Sequence, residues 1–243
     1  LFVNQIKAGG FFIQKKGLSL HSDLGGSTFG IDAGDFKAHN IRIEDHRMIF
    51  DMSYPGGEVN DIPMRIPGFH NIENALAAAA LAMQVGVTGE EIKLGISSFL
   101  GVKRRFEYHV ESDDHVMIDD YAHHPTEIAA CLNSVRALYP GEKITAIFQP
   151  HLFSRTRDFI DDFAKSLAIA DELYLLDIYP ARELPMEGVT SDWLLSKIEV
   201  ENKQVISKAD LLKVIDEKKP ALLVTMGAGD IDLLLNDLKL SLS

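Results

Sequence analysis

Four segments of the chain place acid–base and anion-binding residues directly after apolar runs. Val116-Met117-Ile118-Asp119 leads into Asp120-Tyr121-Ala122-His123-His124-Pro125. Ile144-Thr145-Ala146-Ile147-Phe148 leads into Gln149-Pro150-His151 and then Ser154-Arg155-Thr156-Arg157. Leu173-Tyr174-Leu175-Leu176 leads into Asp177-Ile178-Tyr179-Pro180, and Ala221-Leu222-Leu223-Val224-Thr225 into Met226-Gly227-Ala228-Gly229-Asp230. An imidazole titrates near ~6.5, so one of His123 and His124 is suited to orient a substrate amine or take its proton. The plainer reading has one of them bonding the loop and the other in water. Adjacent histidines do not easily chelate one ion, and no third ligand stands at a recognisable spacing, so no metal site is assigned. Arg155 and Arg157, near an expected helix N-terminus, suit two-point binding of a carboxylate or phosphate. For Arg157 a salt bridge such as one to Asp161 competes. Lys103-Arg104-Arg105 reads either as a phosphate contact or as a solvated basic turn. Gly227 and Gly229 allow a backbone to approach a ligand at a helix start. The full dinucleotide, Walker A and nucleophile-elbow patterns are absent.

The elements that must carry these residues alternate. Short apolar strands with helices near 125–139, 156–169, 191–198, 208–217 and 230–239 argue a doubly wound α/β sheet, whose ligand crevice lies beyond the carboxyl ends of its strands. Residues 11–66 read instead as a structural sheet. Its strands are Phe11–Ile13, Ser27–Ile31, Ile41–Ile43 and Met48–Met52, with a turn at Tyr54-Pro55-Gly56-Gly57. Asn71 or Asn74 is placed to cap a helix that runs to Gln84 and stops at Gly86. Thr88-Gly89-Glu90-Glu91 resembles a capping box, opening a second helix to about Phe99. A domain boundary is expected at Leu100-Gly101. Leu1 to Lys7 read as the last turns of an amphipathic helix with Phe2, Val3 and Ile6 on one face, which suggests part of a longer polypeptide.

Composition narrows the function. In 243 residues, 24 Lys and Arg stand against 36 Asp and Glu, a formal charge of −12. General nucleic-acid and anionic-membrane binding both need a basic face. The longest apolar run, Ala75–Met83, falls short of the ~20 residues that span a bilayer. A single cysteine, Cys131, excludes a disulfide framework and any multi-cysteine metal site. No signal peptide is visible, and a reducing, cytoplasmic location is expected.

Taken together the motifs resemble a known family. Gly68-Phe69-His70-Asn71-Ile72-Glu73-Asn74-Ala75-Leu76-Ala77-Ala78 resembles the H-N-x-x-N-A-L-A-A signature of the Mur ligases. Gly101–Phe106, Asp119–Glu127, Phe148–His151 with Ser154–Asp158, Asp177–Glu183 and Gly227–Ile231 are similar to the branch that adds the first amino acid.

The resemblance implies ATP-dependent ligation of L-alanine to UDP-N-acetylmuramate through an acyl phosphate, with Mg²⁺ bridging the phosphates, in peptidoglycan precursor synthesis. Residues 1–100 would be the C-terminal half of the central ATP-binding domain. Residues 101–243 would be the C-terminal Rossmann-like, amino-acid-binding domain, swinging on a hinge near Leu100-Gly101-Val102. Asn71 and Asn74 match positions at the adenine end of ATP, and Arg105 and Asp120 match the pair that holds the nucleotide. Tyr121, His123, His151 and Arg155 match the L-alanine pocket, with Gly227 and Gly229 added as substrate-binding positions. Arg105, Asp120 and His123 are the catalytic candidates. Leu152 stands where many members have Arg, leaving Arg155 and His151 to hold the carboxylate. The P-loop and Mg²⁺ ligands would precede Leu1, so this stretch alone is expected to be inactive. The expected assembly is a monomer or homodimer. Three readings compete: a recycling ligase that attaches a tripeptide to the same sugar nucleotide, a non-catalytic nucleotide or amino-acid sensor, and an oxidoreductase resting only on Gly227-Ala228-Gly229.

Overall fold

A computed structural model describes residues 5–7, 9–18 and 26–242. Most of the helix expected at Leu1–Lys7 lies outside the described residues. The chain divides into two compact units, Leu1–Leu100 and Gly101–Ser243.

The first unit is a five-stranded sheet with two helices. Its strands are β1 (Ile13–Lys15), β2 (Ser27–Ile31), β3 (Phe36–Glu44), β4 (Arg47–Tyr54) and β5 (Gly57–Met64), in that spatial order. The first three run parallel, whereas β4 and β5 return antiparallel. The turn read at Tyr54–Gly57 joins β4 to β5. Sequence reading gave no strand at β5, because Asn60, Asp61 and Pro63 disguise it. A proline is tolerated there because β5 is an edge strand. Helix α1 (Phe69–Met83) buries Ile72, Leu76, Ala79 and Ala80. It starts at Gly68, where φ is 112°, so Asn71 and Asn74 sit inside the helix and do not cap it. Asn71 Nδ2 instead donates back to the Pro67 carbonyl at 2.7 Å, and Asn74 is exposed. Helix α2 (Gly89–Ser98) opens with the full reciprocal Thr88–Glu91 capping box.

The second unit holds β6 (Glu107–Glu111), β7 (Val116–Asp120), β8 (Ile144–Gln149), β9 (Glu172–Leu175), β10 (Asn202–Val205) and β11 (Leu222–Gly227). Their spatial order is β10-β9-β8-β11-β7-β6, and all are parallel except β6. The helices are α3 (Pro125–Leu138), α4 (Phe153–Asp158), α5 (Ile160–Leu167), α6 (Ser191–Leu195), α7 (Lys208–Lys218) and α8 (Leu235–Ser241), with a 3₁₀ turn at Asp230–Leu234. The helix expected over 156–169 is therefore two, broken at Phe159, and the one expected from 230 begins as a 3₁₀ turn.

Because side chains alternate along a strand, neighbouring residues feed opposite layers. Ile147 and Leu223 join Leu211, Ile215, Leu235 and Leu238, from α7 and α8, in one buried cluster. On β8, Phe148 faces Phe163 of α5, with ring centroids 5.7 Å apart. No helix among the described residues is long and apolar enough to cross a membrane.

At the start of β9 a buried carboxylate ties the sheet to α7. Glu172 accepts from Lys218, from the Tyr174 hydroxyl at 2.9 Å and from Thr145 Oγ1 at 3.3 Å. Burial alone would raise its pKa, but the Lys218 and Tyr174 hydrogen bonds win and hold it below the ordinary value. A depressed carboxylate stabilises the fold above its unfolded pKa, and that contribution fades as pH falls through the folded value. Glu172→Gln should therefore cost about 1–3 kcal/mol at pH 7. In denaturant titrations the gap from wild type should narrow below about pH 4. A pH-independent gap would remove the charge from the explanation.

Candidate active site

The loop before β6 is held by an arginine turned inward. Arg104 has φ 58° and Phe106 φ 49°, both in the left-handed region. Arg104 Nε donates to Asp119 Oδ2 at 2.9 Å and Nη2 donates to the Gly227 carbonyl at 2.7 Å. Asp119 has no exposed surface, and Thr225 Oγ1 donates to its Oδ1 at 2.6 Å. Of the basic turn Lys103-Arg104-Arg105, then, Arg104 is a structural cation, while Lys103 and Arg105 are exposed.

Asp120 staples the loop from the other side. Its carboxylate accepts from the Phe106 amide at 2.9 Å and the Ala122 amide at 2.8 Å. Burial raises its pKa, against the pull of those amides and of Arg105. The Tyr121 amide donates to the Arg104 carbonyl at 2.7 Å. The Tyr121 ring lies 5.2 Å from the Arg104 guanidinium and 5.9 Å from that of Arg105. Tyr121 also meets His123 edge-on at 5.1 Å.

His123 and His124 divide the work of the next turn. His124 caps α3, its Nδ1 accepting from the Thr126 amide at 3.4 Å, and its ring packs edge-on against Phe159. His123 Nδ1 lies 2.9 Å from the Tyr121 carbonyl and 3.2 Å from Glu127 Oε2. Both neighbours only accept, so Nδ1 carries a proton, and in the neutral ring Nε2 holds the lone pair.

After β8, His151 bridges to Tyr179 and their rings stack with centroids 5.8 Å apart. Arg155 Nη1 sits 3.4 Å from His151 Nδ1. The arginine can only donate, so His151 offers an Nε2–H outward. Burial, then Arg155 and His123, lower the His151 pKa and keep it neutral. The expectation that α4 would lend its free N-terminus to an anion is not met. Glu183 already accepts from the Ser154 amide at 2.9 Å and from its hydroxyl, and Arg155 and Arg157 lie in the last turn. Arg157 pairs with Asp158 at 2.7 Å, not with Asp161. Neither Arg105 nor Arg155 forms an ion pair with a described residue.

Tyr121, His123, His151 and Arg155 thus gather at the ends of β7 and β8, with His123 and His151 rings 6.1 Å apart. Asn71 and Asn74 belong to the first unit. Gly227 and Gly229 have a reason internal to the fold. Gly227 has φ 143°, and a Cβ there would stand 2.7 Å from the Gln149 carbonyl oxygen. A Cβ on Gly229 would meet the Gln149 amide and Tyr179 Cβ. Gln149, buried, locks this turn by accepting from the Ile231 amide at 2.9 Å and donating to Asp230 at 2.8 Å. Sequence reasoning gave no role to Gln149, Glu183 or Glu127. A glutamine closing an otherwise apolar strand and a Glu two residues after Pro125, a residue that favours the first helical position, were the available signals.

One group of metal-capable atoms exists among the described residues: Glu107, His109 and Asp119 offer ligand atoms within 4.8 Å of one another. His109 Nε2 is buried, 3.6 Å from Glu107. The Arg104 guanidinium already neutralises Asp119 there, so the group does not fit Mg²⁺, which favours several oxygens and its own waters.

The six-stranded sheet thus places two guanidiniums without an ion pair among the described residues, and two imidazoles, beyond the ends of its parallel strands. The chain belongs to the Mur ligase family. Residues 104–231 match the Mur ligase glutamate ligase domain and residues 15–82 the Mur ligase middle domain. It is 48% identical over 231 residues to the UDP-N-acetylmuramate–L-alanine ligase of Christiangramia forsetii, covering 95% of this chain and 50% of that protein. It is 52% identical over 209 residues to the same-named ligase of Flavobacterium psychrophilum, covering 86% of this chain and 47% of that protein. The crystal structure of UDP-N-acetylmuramate-alanine ligase from Thermotoga maritima superposes with TM-score 0.76 at 27% identity, over 94% of this chain and 50% of that one. The chain spans about half the length of the curated relatives it matches.

The packing at Gly227 yields a direct test. Gly227→Ala should destabilise the protein by about 1–3 kcal/mol, since both its φ and the Gln149 backbone oppose a Cβ. Unchanged thermal and denaturant unfolding would show that the position has room.

Proposed function

We propose that this chain takes part in the ATP-dependent ligation of L-alanine to UDP-N-acetylmuramate, a cytoplasmic step of peptidoglycan precursor synthesis. Residues 1–100 act in ATP binding and residues 101–243 in amino-acid binding. The observation that carries the reading is the pair of guanidiniums, Arg105 and Arg155, without an ion pair among the described residues. Arg105 lies by the Tyr121 ring and Arg155 by His151, the two rings that meet His123, whose Nε2 would accept a proton. The names of the relatives point the same way.

In this reading Arg155 and the His151 Nε2–H hold the alanine carboxylate, fixing the amine near His123. ATP, accompanied by Mg²⁺, would pass its γ-phosphoryl group to the lactyl carboxylate, giving the acyl phosphate and ADP. Arg105 steadies the phosphate charge, and Asp120 holds the loop that carries Arg105. Asn71 and Asn74 serve the adenine end. Tyr121 keeps Arg105 and His123 in place by ring contacts. Gly227 and Gly229 shape the floor through Gln149.

The test is phosphate release by the whole ligase with ATP, Mg²⁺ and UDP-N-acetylmuramate, acceptors being added singly. Release that depends on L-alanine is expected. Release only with the recycling tripeptide would reassign the acceptor, and no release with any acceptor would overturn the proposal. Arg155→Ala should raise KM for L-alanine roughly 10- to 100-fold, the worth of a charged hydrogen bond. Arg105→Ala should lower kcat while the thermal midpoint holds. Wild-type turnover in the Arg105 variant would remove that residue from the machinery.

A further inference from the structure

The sequence assigned Glu127 no role. In the structure its carboxylate gathers three groups of one turn: the His123 amide at 3.0 Å, the His124 amide at 3.2 Å and His123 Nδ1 at 3.2 Å. We propose that Glu127 is the positioning partner of His123, a carboxylate–imidazole pair that fixes the ring proton on Nδ1 and makes Nε2 the acceptor for the amine proton. The proposal rests on the reading of His123 given above and adds to it the residue that sets its tautomer and basicity.

The geometry makes the pairing durable. Glu127 is the third residue of α3, one turn from His123, so the helix itself delivers the carboxylate to the ring. Pro125 at the first helical position stiffens the turn between them. The Tyr121 carbonyl shares Nδ1–H, so either contact demands the same tautomer. Burial alone would raise the Glu127 pKa. The His123 amide, the His123 ring, the His124 amide and Arg105 together hold it below the ordinary value, so it is ionised at neutral pH. The other charged or titratable groups near the ring among the described residues are Tyr121 from the same loop, Arg105 beyond the Tyr121 ring, and His151, with Arg155 behind it, from the loop after β8. His151 is kept neutral and Arg155 is cationic, so Glu127 is the anion of this group.

In the step itself the amine nitrogen bonds to the acyl carbon and its N–H bond breaks. The proton moves to His123 Nε2 while the N–H electron pair stays on nitrogen. The oxyanion then re-forms the C=O, the C–O bond to phosphate breaks, and the phosphate leaves with the C–O bonding pair. A carboxylate on Nδ1 raises the basicity of Nε2 and stabilises the imidazolium formed.

A capping role alone would also place Glu127 here, and Gln fills that role as well. Glu127→Gln therefore removes the charge while sparing the helix start. In the whole ligase it should lower kcat about tenfold or more and move the acid limb of the kcat/KM profile about one unit to lower pH. Glu127→Asp should recover part of both. In this chain, ring ¹⁵N shifts of His123, assigned with His123→Gln, should show the Nδ1–H tautomer at pH 8. An unmoved pH profile in Glu127→Gln, or an Nε2–H tautomer in the wild type, overturns the pairing. If His123→Gln keeps wild-type turnover, the underlying reading fails and the pairing falls with it. If His123→Gln is inactive while Glu127→Gln leaves the profile unmoved, only the pairing fails.

Discussion

The buried ion pair between Arg104 and Asp119 is the interaction on which the arrangement of the second unit turns. A carboxylate with no exposed surface needs a cation and further donors, because leaving it alone costs about 3–5 kcal/mol. Arg104 and Thr225 supply them. In reaching Asp119 the Arg104 backbone enters the left-handed region, and its guanidinium also fixes the Gly227 carbonyl. The pair therefore joins β7, β11 and the loop before β6, and the Arg104 carbonyl in turn holds the Tyr121 amide. Arg105, next in the chain, is left facing outward because its neighbour faces inward.

A similar division of labour recurs in the loops around β7 and β8. In Arg104-Arg105 and in His123-His124 one residue secures the scaffold and the other stays available. Asp119 is spent on Arg104, His124 on capping α3, and Arg157 on Asp158. Gln149 and Glu183 have no counterpart left over. They satisfy the backbone where β8 and α4 end, work that a loop near a ligand must have done before it can hold anything still. What remains unspent (Arg105, His123 Nε2, His151 Nε2 and Arg155) is the chemically available set.

Much of this was legible in the residues. The apolar runs that became β7, β8, β9 and β11 are buried from both sides, and such strands are continuous in sequence. The Thr88–Glu91 cap depends on local hydrogen bonds alone, so its pattern was sufficient. The start of α1 was misjudged because Asn is a frequent cap, whereas Gly68, with φ 112°, makes the turn here. The two arginines of Arg104-Arg105 could not be told apart from sequence, because their difference lies in a partner fifteen positions on. The glycines near 227 looked like ligand contacts. The distances to Gln149 add a reason internal to the fold, since a Cβ would meet its backbone at Gly227 and its side chain at Gly229.

Besides β5, sequence reading missed β6 and β10, and these are the two edges of the six-stranded sheet. Glu107-Tyr108-His109-Val110-Glu111 and Asn202-Lys203-Gln204-Val205 are too polar to announce themselves. An open sheet ends in unpaired amides and carbonyls that invite a strand from another molecule, and charged edge residues discourage it. The polarity that hides these strands from pattern recognition is thus also a guard against aggregation, and it lets a sheet with a largely apolar centre stop at six strands.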